Sequence, residues 1–135
     1  MLLKTTSVAT LALSMAVSLA SHATDTLKIG IAGPFSGAVS PYGMMQLQGA
    51  HAAIDQVNKN GGIHGKLLEA VEYDDGCEPK QAVTVANRVI NDGIHYLVGH
   101  LCSSSTQPAT DIYKDENVLV ITGSTNPAIT SRGYP

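Results

Sequence analysis

The stretch Ile94-His95-Tyr96-Leu97-Val98-Gly99-His100-Leu101-Cys102-Ser103-Ser104-Ser105-Thr106 changes character at Gly99. Before it runs a short, mostly apolar segment, residues 94–99, of the kind expected for a parallel strand buried on both faces. After it come four hydroxyl residues at the head of residues 103–116, which can form a helix if Pro108 lies in its first turn or two. Proline is tolerated early in a helix because the first N–H groups have no intrahelical partner to lose. Strand, glycine turn and helix in this order make half of a βαβ unit.

Working outward, the unit repeats. Residues 118–122, Val-Leu-Val-Ile-Thr, read as the next strand, with loop from Gly123 onward. Upstream, Pro79 suits the first turn of a helix whose buried face is Ala82, Val83, Ala86, Val89 and Ile90, and Asn91-Asp92-Gly93 ends it. Residues 67–73 form a strand with Leu67, Glu69, Val71 and Tyr73 on one face, broken by Asp74-Asp75-Gly76. Earlier still, apolar residues at Met44, Leu47, Ala50, Ile54 and Val57 have helical spacing and stop at Asn60-Gly61-Gly62. A Gly/Pro/Ser loop, residues 34–42, joins that helix to an alternating strand at 27–33. The order βαβαβαβ with short connections predicts an α/β fold: an open parallel sheet, helices on both faces, right-handed crossovers.

The first 23 residues differ. Lys4 precedes an apolar run from Val8 to Ala20, and Ser21-His22-Ala23 puts small residues where a signal peptidase cuts. The run is shorter than the roughly 20 residues a bilayer span needs. A cleavable signal at 1–23 is therefore expected, with the mature chain starting at Thr24 after export past the inner membrane. No cysteine at the cleavage point suggests a lipid anchor. Export makes a disulfide permissible, and there are two cysteines, Cys77 and Cys102. The compartment favours a bridge, two free buried thiols being the alternative. A bridge closes a loop of about 26 residues, worth roughly 3–4 kcal/mol in the chain-entropy model.

With 135 residues, 44% of them hydrophobic and 14% charged, the chain has the composition of about one globular domain. A net charge of -3 provides no basic stripe to neutralise phosphates, and with no Trp and one Phe there is no stacking platform, so no nucleic-acid partner is expected. The chain ends at Pro135 shortly after a strand and a loop, and it is expected to be part of a longer protein.

In open parallel sheets, ligands bind outside the carboxyl ends of the strands, where strand order reverses. Three loops reach those ends, residues 33–37, 99–106 and 122–127, all rich in small residues with Gly and Ser in each, and the last two also carry runs of Ser and Thr. The Ser103–Thr106 run opens a helix, where free N–H groups and the positive dipole end favour an anion such as a carboxylate. A plain helix cap by Ser103 is the alternative. Tyr42, after Pro41 at the head of the first helix, is a candidate wall of the same site. A hydrolase reading would use Ser103 as nucleophile with His100. G-x-S-x-G is absent, however, and no acid is evidently placed to orient the histidine. Gly30, Gly33 and Gly37 do not spell a dinucleotide fingerprint. Asp74, Asp75, Cys77, His100 and Cys102 hold metal-capable groups at spacings that match no zinc pattern, and a disulfide would consume both sulfurs. Asp74-Asp75 reads as a turn, and His51, His64 and His95 are scattered singly. No cofactor, metal or catalytic residue is expected.

Several segments together resemble the leucine/isoleucine/valine-binding protein family of bacterial importers. They are Tyr73-Asp74-Asp75-Gly76-Cys77-Glu78-Pro79-Lys80-Gln81-Ala82-Val83, Val98-Gly99-His100-Leu101-Cys102-Ser103-Ser104-Ser105-Thr106-Gln107-Pro108-Ala109, Asn58-Lys59-Asn60-Gly61-Gly62-Ile63 and Thr130-Ser131-Arg132-Gly133-Tyr134. The resemblance implies a two-lobed periplasmic receptor, monomeric, whose lobes close on one amino acid and which hands it to an inner-membrane ATP-driven permease. Residues 24–135 would be its N-terminal lobe, carrying half of the site. The resemblance further implies a Cys77–Cys102 disulfide, Ser103 on the ligand carboxylate, Thr125 and a loop carbonyl on the ammonium, and Tyr42 as pocket wall. The family's loop often carries a proline. Residues 122–125 here lack it and are one residue shorter, which leaves both Gly123 and Ser124 as candidates for the carbonyl. A branched-chain or related aliphatic amino acid is the expected ligand. A sensory receptor domain on the same fold is the rival. If the bridge forms, reduction should raise the intact mass by about two units, one per thiol proton gained; an unchanged mass would mean free thiols.

Overall fold

A computed structural model describes residues 26–133. The signal segment read in residues 1–23 and the motif residue Tyr134 lie outside them. Four parallel strands and three helices alternate: β1 (Thr26–Gly33), α1 (Ser40–Lys59), β2 (Leu67–Asp74), α2 (Pro79–Asn91), β3 (Tyr96–Val98), α3 (Ser103–Asp115) and β4 (Leu119–Ile121), followed by a 3₁₀ turn at Pro127–Ile129. The strand order is β2-β1-β3-β4. The chain winds outward in one direction from β1 to β2 and in the other from β3 to β4, so order reverses between β1 and β3.

The two faces of the sheet carry separate cores. On one, Ile31 of β1 packs with Leu47 and Ile54 of α1, supported by Ile29, Phe35, Ala50, Leu68 and Ala70. On the other, Ala32 and Tyr73 meet Ala82, Val85, Ala86 and Val89 of α2 and Ala109 and Tyr113 of α3. Adjacent residues Ile31 and Ala32 thus face opposite layers, as the two-residue period of a strand requires. Each layer buries apolar surface worth about 25 cal/mol per Å².

Register is long between β1 and β2, from Thr26 opposite Leu67 to Gly33 opposite Asp74, but short elsewhere. β3 pairs with β1 only at Gly30–Leu97 and Ile31–Val98, and with β4 at three positions from Tyr96–Leu119 to Val98–Ile121.

Several boundaries depart from the sequence expectation. α1 begins at Ser40, inside the expected loop, because Pro41 fits the first turn of a helix. Its buried stripe is Gly43, Leu47 and Ile54, while Met44 faces solvent. Gly43 is required there: a Cβ would come within 2.1 Å of the Pro34 carbonyl oxygen. In α2 the stripe is Ala82, Val85, Ala86 and Val89, the i, i+3, i+4, i+7 set, which turns Val83 outward. The strand expected at 94–99 shrinks to Tyr96–Val98 because Ile94 belongs to the turn that ends α2, its N–H bonded to Val89 O at 3.0 Å. Nor is that strand buried on both faces, since Tyr96 is 45% exposed. β4 is an edge among the described residues, with Leu119 57% and Ile121 65% exposed. Pro108 is the sixth residue of α3, in its second turn as expected.

At the strand-order switch the backbone of Gly99 has φ +129° and runs against β1, where a Cβ would sit 2.0 Å from the Ala32 carbonyl oxygen. Gly99→Ala combines a left-handed backbone with a main-chain overlap. It should cost more than about 2 kcal/mol, read as a lower urea midpoint at unchanged m value; an unshifted midpoint would refute the tight approach.

Candidate ligand-binding rim

The carboxyl ends of β1, β2, β3 and β4 open into four loops, and polar side chains lace them together. Asp74, at the end of β2, accepts at Oδ1 from the N–H groups of Phe35 (2.9 Å), Ser36 (3.2 Å) and Gly76 (2.9 Å). This fixes the loop after β1 against the loop after β2. Burial alone would raise its pKa. The hydrogen bonds from the Ser36 hydroxyl and from the Gly76, Phe35 and Ser36 main chain outweigh burial and hold the carboxyl below its usual range. Asp75 faces inward and is fully buried. Its Oδ1 accepts from Cys77 N–H at 2.8 Å and its Oδ2 from His100 Nδ1 at 2.5 Å. His100, also fully buried, has Nε2 3.0 Å from the Tyr113 hydroxyl. Burial, reinforced by the nearby charge of Asp75 and by Tyr73, raises the Tyr113 pKa, so the phenol keeps its proton.

The main-chain oxygen of His100 is a second hub. It accepts from Thr122 Oγ1 (2.5 Å), Ser124 Oγ (3.1 Å) and Thr106 Oγ1 (3.3 Å). Cys77 and Cys102 are joined in a disulfide with Cα atoms 5.5 Å apart, which adds a covalent tie between the loops after β2 and β3. Under the rim, Gln46 of α1 donates from Nε2 to Ala32 O (3.1 Å) and Val98 O (3.3 Å), bridging β1 and β3 at the switch.

Of the residues singled out in the sequence, Ser103 is the first residue of α3 and not its cap. Cys102 occupies the cap position, and no side chain caps the helix. The Cys102 carbonyl accepts from Ser105 N–H (3.0 Å) and Thr106 N–H (2.9 Å). The N–H groups of Ser103 and Ser104 have no partner among the described residues. The hydroxyl run divides: Ser105 and Thr106 turn into the core, while Ser103 and Ser104 stay at the surface. Ser103 Oγ accepts from Asn126 N–H at 3.3 Å, so its own proton is free to donate. That bond brings the loop after β4 to the head of α3. Gly123 and Thr125 are exposed on this loop. The Ser124 hydroxyl, by contrast, is turned back into the framework. Tyr42 stands 66% exposed on α1 and lines a shallow hollow with Val39, Met45, Gln46, Leu101 and Cys102.

Two expectations need correction. Asp74-Asp75 is more than a turn, since each carboxylate ties two rim loops together. Also, an acid does orient His100, namely Asp75. The histidine's other nitrogen faces Tyr113, and Ser103 takes its bond from Asn126, so no relay to Ser103 forms. Of the five metal-capable residues, the two sulfurs are spent in the disulfide. Gln46 was missed, because a lone glutamine on an amphipathic helix carries no signal of its inward role.

The sequence of this chain matches a known family, described as periplasmic binding protein, over residues 26–134. The chain belongs to the periplasmic binding protein family. It is 64% identical over 115 residues to the leucine-, isoleucine-, valine-, threonine-, and alanine-binding protein of Pseudomonas aeruginosa, covering 84% of this chain and 31% of that one. It is 54% identical over 111 residues to the Leu/Ile/Val-binding protein of Escherichia coli K12, covering 82% of this chain and 30% of the other. Among solved structures it resembles the branched-chain amino acid transporter substrate binding protein of Streptococcus pneumoniae in complex with isoleucine. There the TM-score is 0.74 at 32% identity, over 78% of this chain and 31% of that one. The chain spans about 30% of the length of the curated relatives it matches.

In this periplasmic binding protein chain, Asp74 makes the rim sensitive to acid. Its folded-state pKa is depressed, so its contribution to stability is present above the unfolded value near 3.8 and is lost as pH falls through the lower folded value. Asp74→Asn should be less stable than the parent at neutral pH. It should also lose less stability than the parent as pH drops from about 5 towards 2, measured by denaturant titration at each pH. Parallel curves for the two proteins would contradict this.

Proposed function

We propose that residues 24–135 form the N-terminal lobe of a periplasmic receptor that captures a branched-chain or related aliphatic amino acid and delivers it to an inner-membrane permease. Residues 1–23 serve as its cleaved signal. The receptor binds and releases; it performs no catalysis. The observation that carries this reading is the head of α3, where Ser103 and Ser104 offer free N–H groups and Ser103 a free hydroxyl proton beside an exposed Thr125. Such donors neutralise a carboxylate without a cationic side chain, because the helix dipole already favours negative charge there. The similarity to proteins named for leucine, isoleucine and valine binding supports the same ligand class.

On this reading the ligand carboxylate meets Ser103 and the N–H groups of the first turn of α3. The ammonium meets Thr125 and a carbonyl of Gly123 or Ser124. The aliphatic side chain lies towards Tyr42 and Leu101, in the hollow at the head of α1. A second lobe closes over the ligand about a hinge. Contacts made only in the closed form then shift the population towards it, and the closed form is what a permease recognises.

In the full-length receptor, Ser103→Ala should weaken leucine binding about 10- to 100-fold, the cost of one hydrogen bond to a charged group, with little change in thermal stability. Calorimetric titration decides it. Unchanged affinity for leucine, isoleucine and valine would overturn this assignment of the carboxylate.

A further inference from the structure

The two charges of an α-amino acid are held a fixed short distance apart by one carbon atom. A receptor that meets them from two different loops must hold those loops in register to within about half an ångström. The loops here are the head of α3 and residues 122–126. The inference drawn from them rests on the amino-acid reading given above.

Main-chain pairing does not supply that register. The last ladder-type bond near the rim runs from Gly99 N–H to Ile121 O at 2.8 Å. Beyond Ile121, no main-chain bond joins residues 122–126 to the loop after β3 among the described residues. Hydroxyls take over. Ser124 Oγ lies 3.1 Å from both His100 O and Leu101 O, 3.0 Å from Thr122 Oγ1 and 2.6 Å from Thr106 Oγ1. Its own N–H donates to Thr122 Oγ1 at 3.0 Å. Ser124 is thus tied to the loop after β3, to α3 and to its own loop at once, and the next residue is Thr125. The oxygen it shares with Thr122 and Thr106 belongs to His100, whose ring is locked by Asp75 and Tyr113.

We propose that Ser124 is a positioning residue. Its hydroxyl, with that of Thr122, staples the loop after β4 to the His100 and Leu101 carbonyls and so sets the spacing between the ammonium and carboxylate subsites. It acts through Thr125 without offering its side chain to the ligand.

A double-mutant cycle in the full-length receptor tests this, with leucine affinity measured by calorimetry. Ser124→Ala should weaken binding about tenfold, and Ser124→Thr, which keeps the hydroxyl, should recover most of the loss. In a Thr125→Val background, Ser124→Ala should cost clearly less than in the parent, because one of the two contacts it positions is already gone. Thr122→Val removes the staple from its other end and should repeat the pattern, so the test survives a poorly folding Ser124 variant. Losses that multiply in the Thr125→Val background, or none for Ser124→Ala, would overturn the proposal while leaving the amino-acid reading intact. Leucine affinity indifferent to both Thr125→Val and Ser103→Ala would bring down that reading and the proposal together.

Discussion

The buried contact between Asp75 and His100 is what the rim is built on. Both side chains are out of reach of solvent, and a buried polar group is tolerable only when its bonding is complete. Asp75 completes its own with Cys77 N–H and the imidazole, and His100 completes the second nitrogen at Tyr113. The pair therefore sets the relation of the loop after β2 to the loop after β3. The disulfide two residues along from each of them, on both loops, reinforces the same relation. From His100 the constraint passes along its carbonyl to the loop after β4. From Asp74, next in line to Asp75, it passes to the loop after β1. Two adjacent carboxylates and one histidine hold the loops after β1, β2 and β3, and the disulfide and the Thr122 and Ser124 hydroxyls extend the tie to the loop after β4.

This arrangement suits a site made of dipoles. No cationic side chain is among the candidate ligand contacts, which are N–H groups, hydroxyls and a carbonyl. Dipoles act at short range and need good aim. A lysine on a long stem can follow a moving anion, whereas the N–H groups of Ser103 and Ser104 point where the α3 backbone points. On the proposed reading, rigidity of the loops is a condition for binding. Buried, fully bonded polar networks provide that rigidity better than apolar packing, which is less directional.

The periodic features were readable in advance. Alternation in residues 27–33, helical spacing through Leu47 and Ile54, and glycine stops at Gly61 and Gly93 placed every strand and helix in order. Boundaries were less readable where a residue suits two states. Pro41 fits a loop and a first helical turn equally. Val83 and Val85 are the same residue type on neighbouring faces, and the face that packs on the sheet is the one carrying Val85 with Ala82, Ala86 and Val89. Ile94 continues an apolar run, so the run looked like one strand although its first part closes a helix. Among the candidate site residues, Ser103 and Tyr42 stood out by their places at helix heads, and Thr125 through the family resemblance. Gln46 did not, because its role depends on two carbonyls from different strands.

The order of elements, the parallel sheet and three of the four loops at its carboxyl edge follow from the sequence alone, because local periodicity and turn residues report on near neighbours. Which side of Ser103–Thr106 faces outward, why Asp74 and Asp75 differ, and what Ser124 touches were decided by the tertiary structure. Those outcomes depend on residues 20 to 40 positions away meeting in space, through hydrogen bonds such as those of Asp74 with Phe35, Asp75 with His100 and Ser124 with His100. A single chain carries no local mark of such pairs, since a serine or aspartate looks the same whether it meets water or a carbonyl from another loop.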